Sequence, residues 1–186
     1  MNIVNRASGK PATLIVIFLS IVILLSSCGG KNNESNLRNQ YSNDMESYVG
    51  WNGISGYYSI KSGDAHSGQH SCQTDTSFIY SLTFSAKIKE LSDKPIKKVN
   101  MSVWLKCLSI PANGSYILSI EQGDEVLKYF PFQLKESDAV VNEWVKVSGT
   151  AEFPVDQSKD AIVKIYFWNK SKSIILVDDM DFEIEN

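Results

Sequence analysis

Residues 99–108 read VNMSVWLKCL, and this stretch decides the fold class. Val99, Met101, Val103, Leu105 and Cys107 fall on one side of a period-two pattern, and Asn100, Ser102, Trp104 and Lys106 fall on the other. Successive side chains of a strand point to opposite faces, so this is a strand with one face in a core and one toward water. A helix would instead bring residues three and four apart onto one side. The same chemistry recurs outward in both directions. Residues 57–60, 69–74 and 78–88 precede it, and 116–121, 126–132, 144–153, 162–168 and 174–184 follow, all rich in aromatic and β-branched residues. Pro111-Ala112-Asn113-Gly114 marks a turn, and Gly123-Asp124 marks a hairpin reversal between two such runs. No segment keeps helical periodicity for three turns. The connections are too short for helical crossovers, so the sequence predicts an all-β, antiparallel sandwich or barrel of about nine strands.

The N-terminus has a different character. Arg6 and Lys10 supply positive charge, residues 13–25 are apolar, and Leu25-Ser26-Ser27-Cys28 follows. A charged start, an apolar run too short to span a bilayer as a mature helix and a small-residue site form the order of a secretory signal peptide. The cysteine directly after that site resembles the lipobox of bacterial lipoproteins. That resemblance implies removal of residues 1–27, lipid on Cys28 and attachment to a membrane through it. Gly29 rather than Asp follows, which points to the outer membrane, on its periplasmic or its surface side. Residues 29–40, GGKNNESNLRNQ, are polar and read as a flexible tether. The predicted organisation is a signal peptide at 1–27, a lipidated tether at 28–41 and one domain at 42–186.

A net charge of −3 with acids and bases interspersed gives no footprint for nucleic acid. Cys72 and Cys107 read either as a disulfide permitted by an oxidising compartment or as two small buried apolar residues. Catalytic patterns are lacking. The histidines, His66 and His70, flank a Ser-Gly turn without metalloprotease spacing, and no G-x-S-x-G elbow occurs. Asp179, Asp181 and Glu183 alternate along the last run and read as a solvated face. The expectation is a protein without catalysis.

Five separated pieces resemble galactose-binding-like jelly-roll carbohydrate-binding modules. Asn43-Asp44-Met45-Glu46 with Trp51 matches their opening strand, and Ala65-His66-Ser67-Gly68-Gln69-His70-Ser71 their turn into the second. Val103-Trp104-Leu105-Lys106 and 144–150, WVKVSGT, match two central strands, and Ile175-Leu176-Val177-Asp178-Asp179-Met180 matches the closing one. The resemblance implies a single-domain jelly-roll β-sandwich, a glycan or polysaccharide ligand and a structural calcium ion. Calcium takes six to eight oxygens, and the matched positions offer Glu46 and Asp178 as carboxylates with carbonyls near Gln69 and Asp44. Alternation places Asp178 with Leu176, Met180 and Phe182 on the buried side, where a carboxylate needs strong donors.

A sugar site needs aromatic faces flanked by polar side chains. On 162–168, Val163, Ile165 and Phe167 form the core set and leave Lys164, Tyr166 and Trp168 on the other face. The predicted platform is Trp104, Tyr166 and Trp168, with Glu121, Lys106 and Lys164 as hydrogen-bonding groups and Tyr129 close by. Trp51 and Trp144 read as structural. The sequence therefore points to a lipid-anchored protein that binds glycan without catalysis. The alternative is a structural lipoprotein that binds a protein partner or peptidoglycan.

Overall fold

Among the described residues there are eleven strands, and the longer ones realise the period-two pattern. In chain order they are β1 (Gln40–Asn43), β2 (Trp51–Asn52), β3 (Ile60–Ser62), β4 (His70–Thr74), β5 (Thr83–Lys87), β6 (Lys98–Cys107), β7 (Gly114–Gln122), β8 (Glu125–Leu134), β9 (Trp144–Glu152), β10 (Ile162–Asn169) and β11 (Ile175–Glu185). A single helical turn, α1 (Ile88–Leu91), follows β5. The structure is a computed structural model that describes residues 39–52, 58–156, 158–171 and 173–186. These all belong to one unit, Asn36–Asn186. The proposed signal peptide, Cys28 and most of the tether lie outside the described residues.

The strands form two antiparallel sheets. Sheet 1 has the order β3-β4-β11-β6-β9, with β1 also pairing to β11, and sheet 2 has the order β2-β5-β10-β7-β8. They pack face to face as the jelly-roll sandwich expected. Along β6 every second residue, from Val99 to Cys107, is buried, and these meet Leu118, Ile120, Val163, Ile165 and Phe167 of sheet 2 in one core. Aromatic contacts close one end: Phe182 stacks on Tyr41 at 4.5 Å and meets Phe84 edge-on at 4.7 Å, while Trp51 packs on Phe84 at 5.6 Å. Burying such a ring is worth about 1.5–3 kcal/mol. This explains why β1 begins at Gln40, inside the predicted tether: Tyr41 is drawn onto Phe182.

Two local expectations are corrected, and of the two readings of the cysteines the buried apolar pair is the one observed. Residues 78–88 are not one strand, because the chain leaves β5 at Ile88 and makes one turn that buries Ile88 and Leu91. Strict alternation also fails on β11. Asp178 pairs with Trp104 but Asp181 pairs with Ser102, so Asp179 and Met180 together oppose Val103 in a bulge, with Asp179 at φ 42°. The core set is therefore Ile175, Val177, Met180, Phe182 and Ile184, and Asp178 lies with Leu176 on the outer side of the sheet. Finally, Cys72 on β4 and Cys107 on β6 flank β11 on opposite sides. Two strand spacings separate them by about 10 Å, beyond disulfide reach. Both thiols are buried and free, and burial pushes that of Cys107 up to about 11.

β8 and β9 sit at the open edge where the sheets meet. A Cβ on Gly149 of β9 would lie 1.9 Å from the Phe132 ring of β8, so glycine is what lets that ring pack.

Candidate functional site

The outer face of sheet 2 gathers four aromatic residues, two of them exposed. Its cross-strand rows run Tyr129–Ser119–Lys164–Ser85, then Pro131–Ile117–Tyr166, then Gln133–Ser115–Trp168 with Tyr80 bridged to Trp168. Ser115, Ile117 and Ser119 face outward yet are buried, so the longer side chains on either side close over this short-residue floor. Tyr80 stands 5.6 Å from Tyr166, edge-on, and 6.2 Å from Trp168. Tyr129 and Tyr80 remain 42% and 39% exposed, which leaves ring surface open to a ligand.

Polar groups border these rings. Glu121 accepts from Ser119 Oγ at 2.8 Å and from Lys164 Nζ at 2.5 Å. Lys170 Nζ lies 4.7 Å from the centre of the Trp168 ring and donates to Ser115 Oγ at 2.9 Å. Burial, with the neighbouring Tyr129, Tyr80 and Glu121, pushes the Tyr166 phenol up to about 12. Burial and then Tyr80 raise Tyr129 as well. Both phenols stay protonated at neutral pH and offer a donor and an acceptor beside an apolar ring. A flat apolar surface rimmed by hydroxyl, ammonium and carboxylate groups suits a ligand with C–H faces and equatorial hydroxyls.

Of the predicted platform, the structure brings together Tyr166, Trp168, Glu121 and Lys164, with Tyr129. It does not bring Trp104 and Lys106 to them. β6 belongs to sheet 1, and the core about 10 Å thick separates its outer face from that of sheet 2. Alternation assigns a residue to a face of its strand but not a strand to a sheet. Trp104 is also occupied: the His66 ring stacks on it at 3.9 Å and 16°, and Lys146 Nζ approaches to 5.8 Å. Lys106 Nζ bonds both carboxylate oxygens of Asp64 at 2.8 Å. Trp51 is a core residue, 5% exposed, and Trp144 packs edge-on to His66 at 5.7 Å. The residues that sequence reasoning missed are Tyr80, Ser115, Ser119 and Lys170. Lys170 continues the outward parity of Lys164, Tyr166 and Trp168, which is a legible signal. Tyr80 joins through a bridge outside the named strands and has none.

The residues assigned to calcium form a clamp on the turn from His66 to His70. Glu46 Oε1 accepts the backbone N–H groups of Gln69 (2.6 Å) and His70 (2.7 Å), and Glu46 Oε2 receives His70 Nδ1 at 2.8 Å. Asp178 Oδ2 accepts from the N–H of His66 (2.7 Å) and Ser67 (3.2 Å), and Asp178 Oδ1 from the N–H of Asp179 (2.7 Å). Asp179 binds His66 Nδ1 at 2.5 Å and Ser67 Oγ at 2.6 Å. The turn needs Gly68, at φ 60°, because a Cβ there would meet Glu46 Oε1 at 2.5 Å. Asp44 only caps the N–H of Glu46, at 3.2 Å. Burial raises the Asp178 carboxyl to about 6 despite its three N–H donors.

As arranged, the oxygens of Glu46 and Asp178 are taken up by N–H and imidazole donors. Among the described residues, no three His, Cys, Asp or Glu side chains converge as a metal-binding group. Nor is Asp179 part of a solvated face, since it holds His66 and Ser67. Each imidazole is paired with a carboxylate, and Asp181 is raised by burial, then by Asp179, and lowered by Lys146.

No protein-family model matches the chain, and no curated protein matches it. Solved structures do resemble it in fold. The CBM22-2 xylan-binding domain from Paenibacillus barcinonensis Xyn10C aligns at 17% identity and a TM-score of 0.55, covering 78% of this chain and 99% of that one. The CBM22-1 xylan-binding domain of the same protein aligns at 18% identity and 0.52, covering 77% and 92%. The C-terminal family 22 carbohydrate binding module of Clostridium thermocellum Xyn10B gives 14% and 0.55, covering 77% and 91%. The fold is the jelly-roll β-sandwich of carbohydrate-binding modules.

Proposed function

We propose that the outer face of sheet 2 binds a polysaccharide without catalysis. Trp168 and Tyr166 stack on sugar rings, Tyr80 and Tyr129 border them, and Glu121, Lys164 and Ser119 meet the hydroxyls. The observation that carries this reading is the joining of four aromatic residues from β8, β10 and the segment before β5 on one sheet face, two of them tyrosines at least 39% exposed. The resemblance in fold to xylan-binding domains makes xylan the first polysaccharide to try. The test is calorimetric titration of the full-length chain in detergent with soluble xylan and mixed-linkage β-glucan. One of them binds with a Kd in the micromolar to millimolar range, and Trp168→Ala removes the heat. Absence of heat with both, from a chain that melts cooperatively, contradicts the reading.

The same proposal keeps the N-terminal expectation: the protein is an outer-membrane lipoprotein, held by lipid on Cys28. Radiolabelled palmitate enters the wild-type chain in a bacterial host and not Cys28→Ala. Equal labelling of both removes the anchor from the reading.

A further inference from the structure

The candidate face is electrically uneven along β10. At one end Lys164 is neutralised by Glu121, 2.5 Å away. At the other end Lys170 bonds only a neutral hydroxyl, Ser115 Oγ at 2.9 Å, and among the described residues no carboxylate pairs with it. Its position is fixed twice over. The backbone N–H of Lys170 donates to the carbonyl of Asn113 at 2.8 Å, and the next residue's N–H donates to Asn169 Oδ1 at 2.9 Å. Asn169 is itself buried and donates to the carbonyl of Ser173 at 2.9 Å. The ammonium is thus carried on a pinned turn and laid over the Trp168 ring, at the end of the aromatic row.

That ammonium opens onto a hollow of ≈ 500 Å³ bordered by Asn113, Gln133, Lys135, Glu136, Lys170 and Ser171. Gln133 stands in the same cross-strand row as Ser115 and Trp168, so the hollow continues the face. Two lysines against one glutamate make it locally positive on a chain of net charge −3. Amide and hydroxyl donors from Asn113, Gln133 and Ser171 border the same space. A cation without a carboxylate partner, in a hollow with an excess of positive charge, beside neutral donors and next to a ring platform, forms a receptor for an anion attached to a sugar.

We infer that this end of the face selects an acidic saccharide: a uronate carboxylate seats between Lys170 and Lys135 while the neighbouring neutral rings lie on Trp168 and Tyr166. The inference rests on the glycan-binding reading and names the class of ligand within it. Glu136 limits the selectivity to a single carboxylate, because a densely charged polymer would bring further anions against it.

The test compares xylan carrying glucuronate branches with the same polymer after carboxyl reduction, titrated into the full-length chain in detergent. The acidic polymer binds about tenfold tighter than its reduced form, and added salt shrinks that ratio. The ratio falls toward one in Lys170→Gln and in Lys135→Gln. Equal affinity of the wild-type chain for the two polymers overturns the acidic preference and leaves the glycan-binding reading standing. A preference that survives both substitutions overturns the assignment of the carboxylate to these lysines. Failure of both polymers to bind overturns the inference together with the reading beneath it.

Discussion

The two outer faces of the sandwich are built from the same residue types and use them in opposite ways. On sheet 2, Tyr80, Tyr129, Tyr166 and Trp168 stand around Ser115, Ile117 and Ser119, with Tyr80 and Tyr129 exposed and Tyr166 and Trp168 half-buried. On sheet 1, Trp104 is covered by the His66 imidazole, and that imidazole is held by Asp179. Where the sequence brings a loop over a tryptophan, the ring joins the structure. On sheet 2, Tyr80 is tilted against Trp168 at 6.2 Å and Lys170 Nζ lies 4.7 Å from its centre, and among the described residues no ring stacks flat on it as His66 does on Trp104. An aromatic residue on a non-core face is therefore a binding group only if no neighbouring segment has taken its surface.

The strongest way to break this contrast is to exchange the tryptophans for alanine one at a time. Trp168→Ala lowers polysaccharide affinity by at least about tenfold, the loss of a stacking contact worth roughly 1.4 kcal/mol or more. Trp104→Ala leaves affinity within about twofold and lowers the melting temperature instead, because the His66 turn loses its support. Calorimetry and thermal melts on both variants separate the two roles. An affinity loss in Trp104→Ala would merge the faces.

A smaller effect is expected from Asp178→Ala. It leaves the N–H groups of His66 and Ser67 without their acceptor, at a cost of about 1–3 kcal/mol in unfolding free energy measured with denaturant. Glycan affinity stays unchanged, since the clamp lies on the other sheet.

The smallest effect concerns pH. Glu46 is held below its ordinary value chiefly by the N–H of Gln69 and then by His70. A depressed carboxylate contributes stability that is complete above its unfolded value, near 4.5, and is lost as pH falls through the lower folded value. Glu46→Gln therefore shows a shallower fall in melting temperature between pH 5 and pH 3 than the wild-type chain. Lys106→Gln, which breaks a surface pair with Asp64, changes stability by no more than about 1 kcal/mol. A chelator leaves the melting temperature of the wild-type chain unchanged, since N–H donors hold the clamp.

How far the sequence could be read follows from the range of the forces involved. Period-two alternation is local, so β6, β9 and β10 and the hairpin at Gly123 were legible. So was the outward set Lys164, Tyr166 and Trp168 on β10. Assignment of β6 and β10 to different sheets depends on pairings between residues far apart in the chain, and the alternation of Trp104 is silent about them. The bulge at Asp179 is likewise set by register against β6, and it moved Asp178 from the inner to the outer side. β1 and β2 are too short to carry a pattern and exist because Tyr41 and Trp51 pack on Phe182 and Phe84. The acidic motif near the C-terminus was visible, but its partners were not. Backbone N–H groups from His66 to His70 have no signature in side-chain identity.

The four tryptophans report on each region separately. Trp51 lies in the core, Trp104 and Trp144 beside His66 on sheet 1, and Trp168 on sheet 2. The most direct measurement is a fluorine NMR titration of the 5-fluorotryptophan-labelled chain with glucuronate-branched xylan fragments, each signal assigned by a Trp→Phe substitution. The Trp168 signal shifts with saturation while those of Trp51, Trp104 and Trp144 hold still. Movement of Trp104 or Trp144 with Trp168 unmoved, or no movement in any of them, would contradict the placement of the ligand on sheet 2.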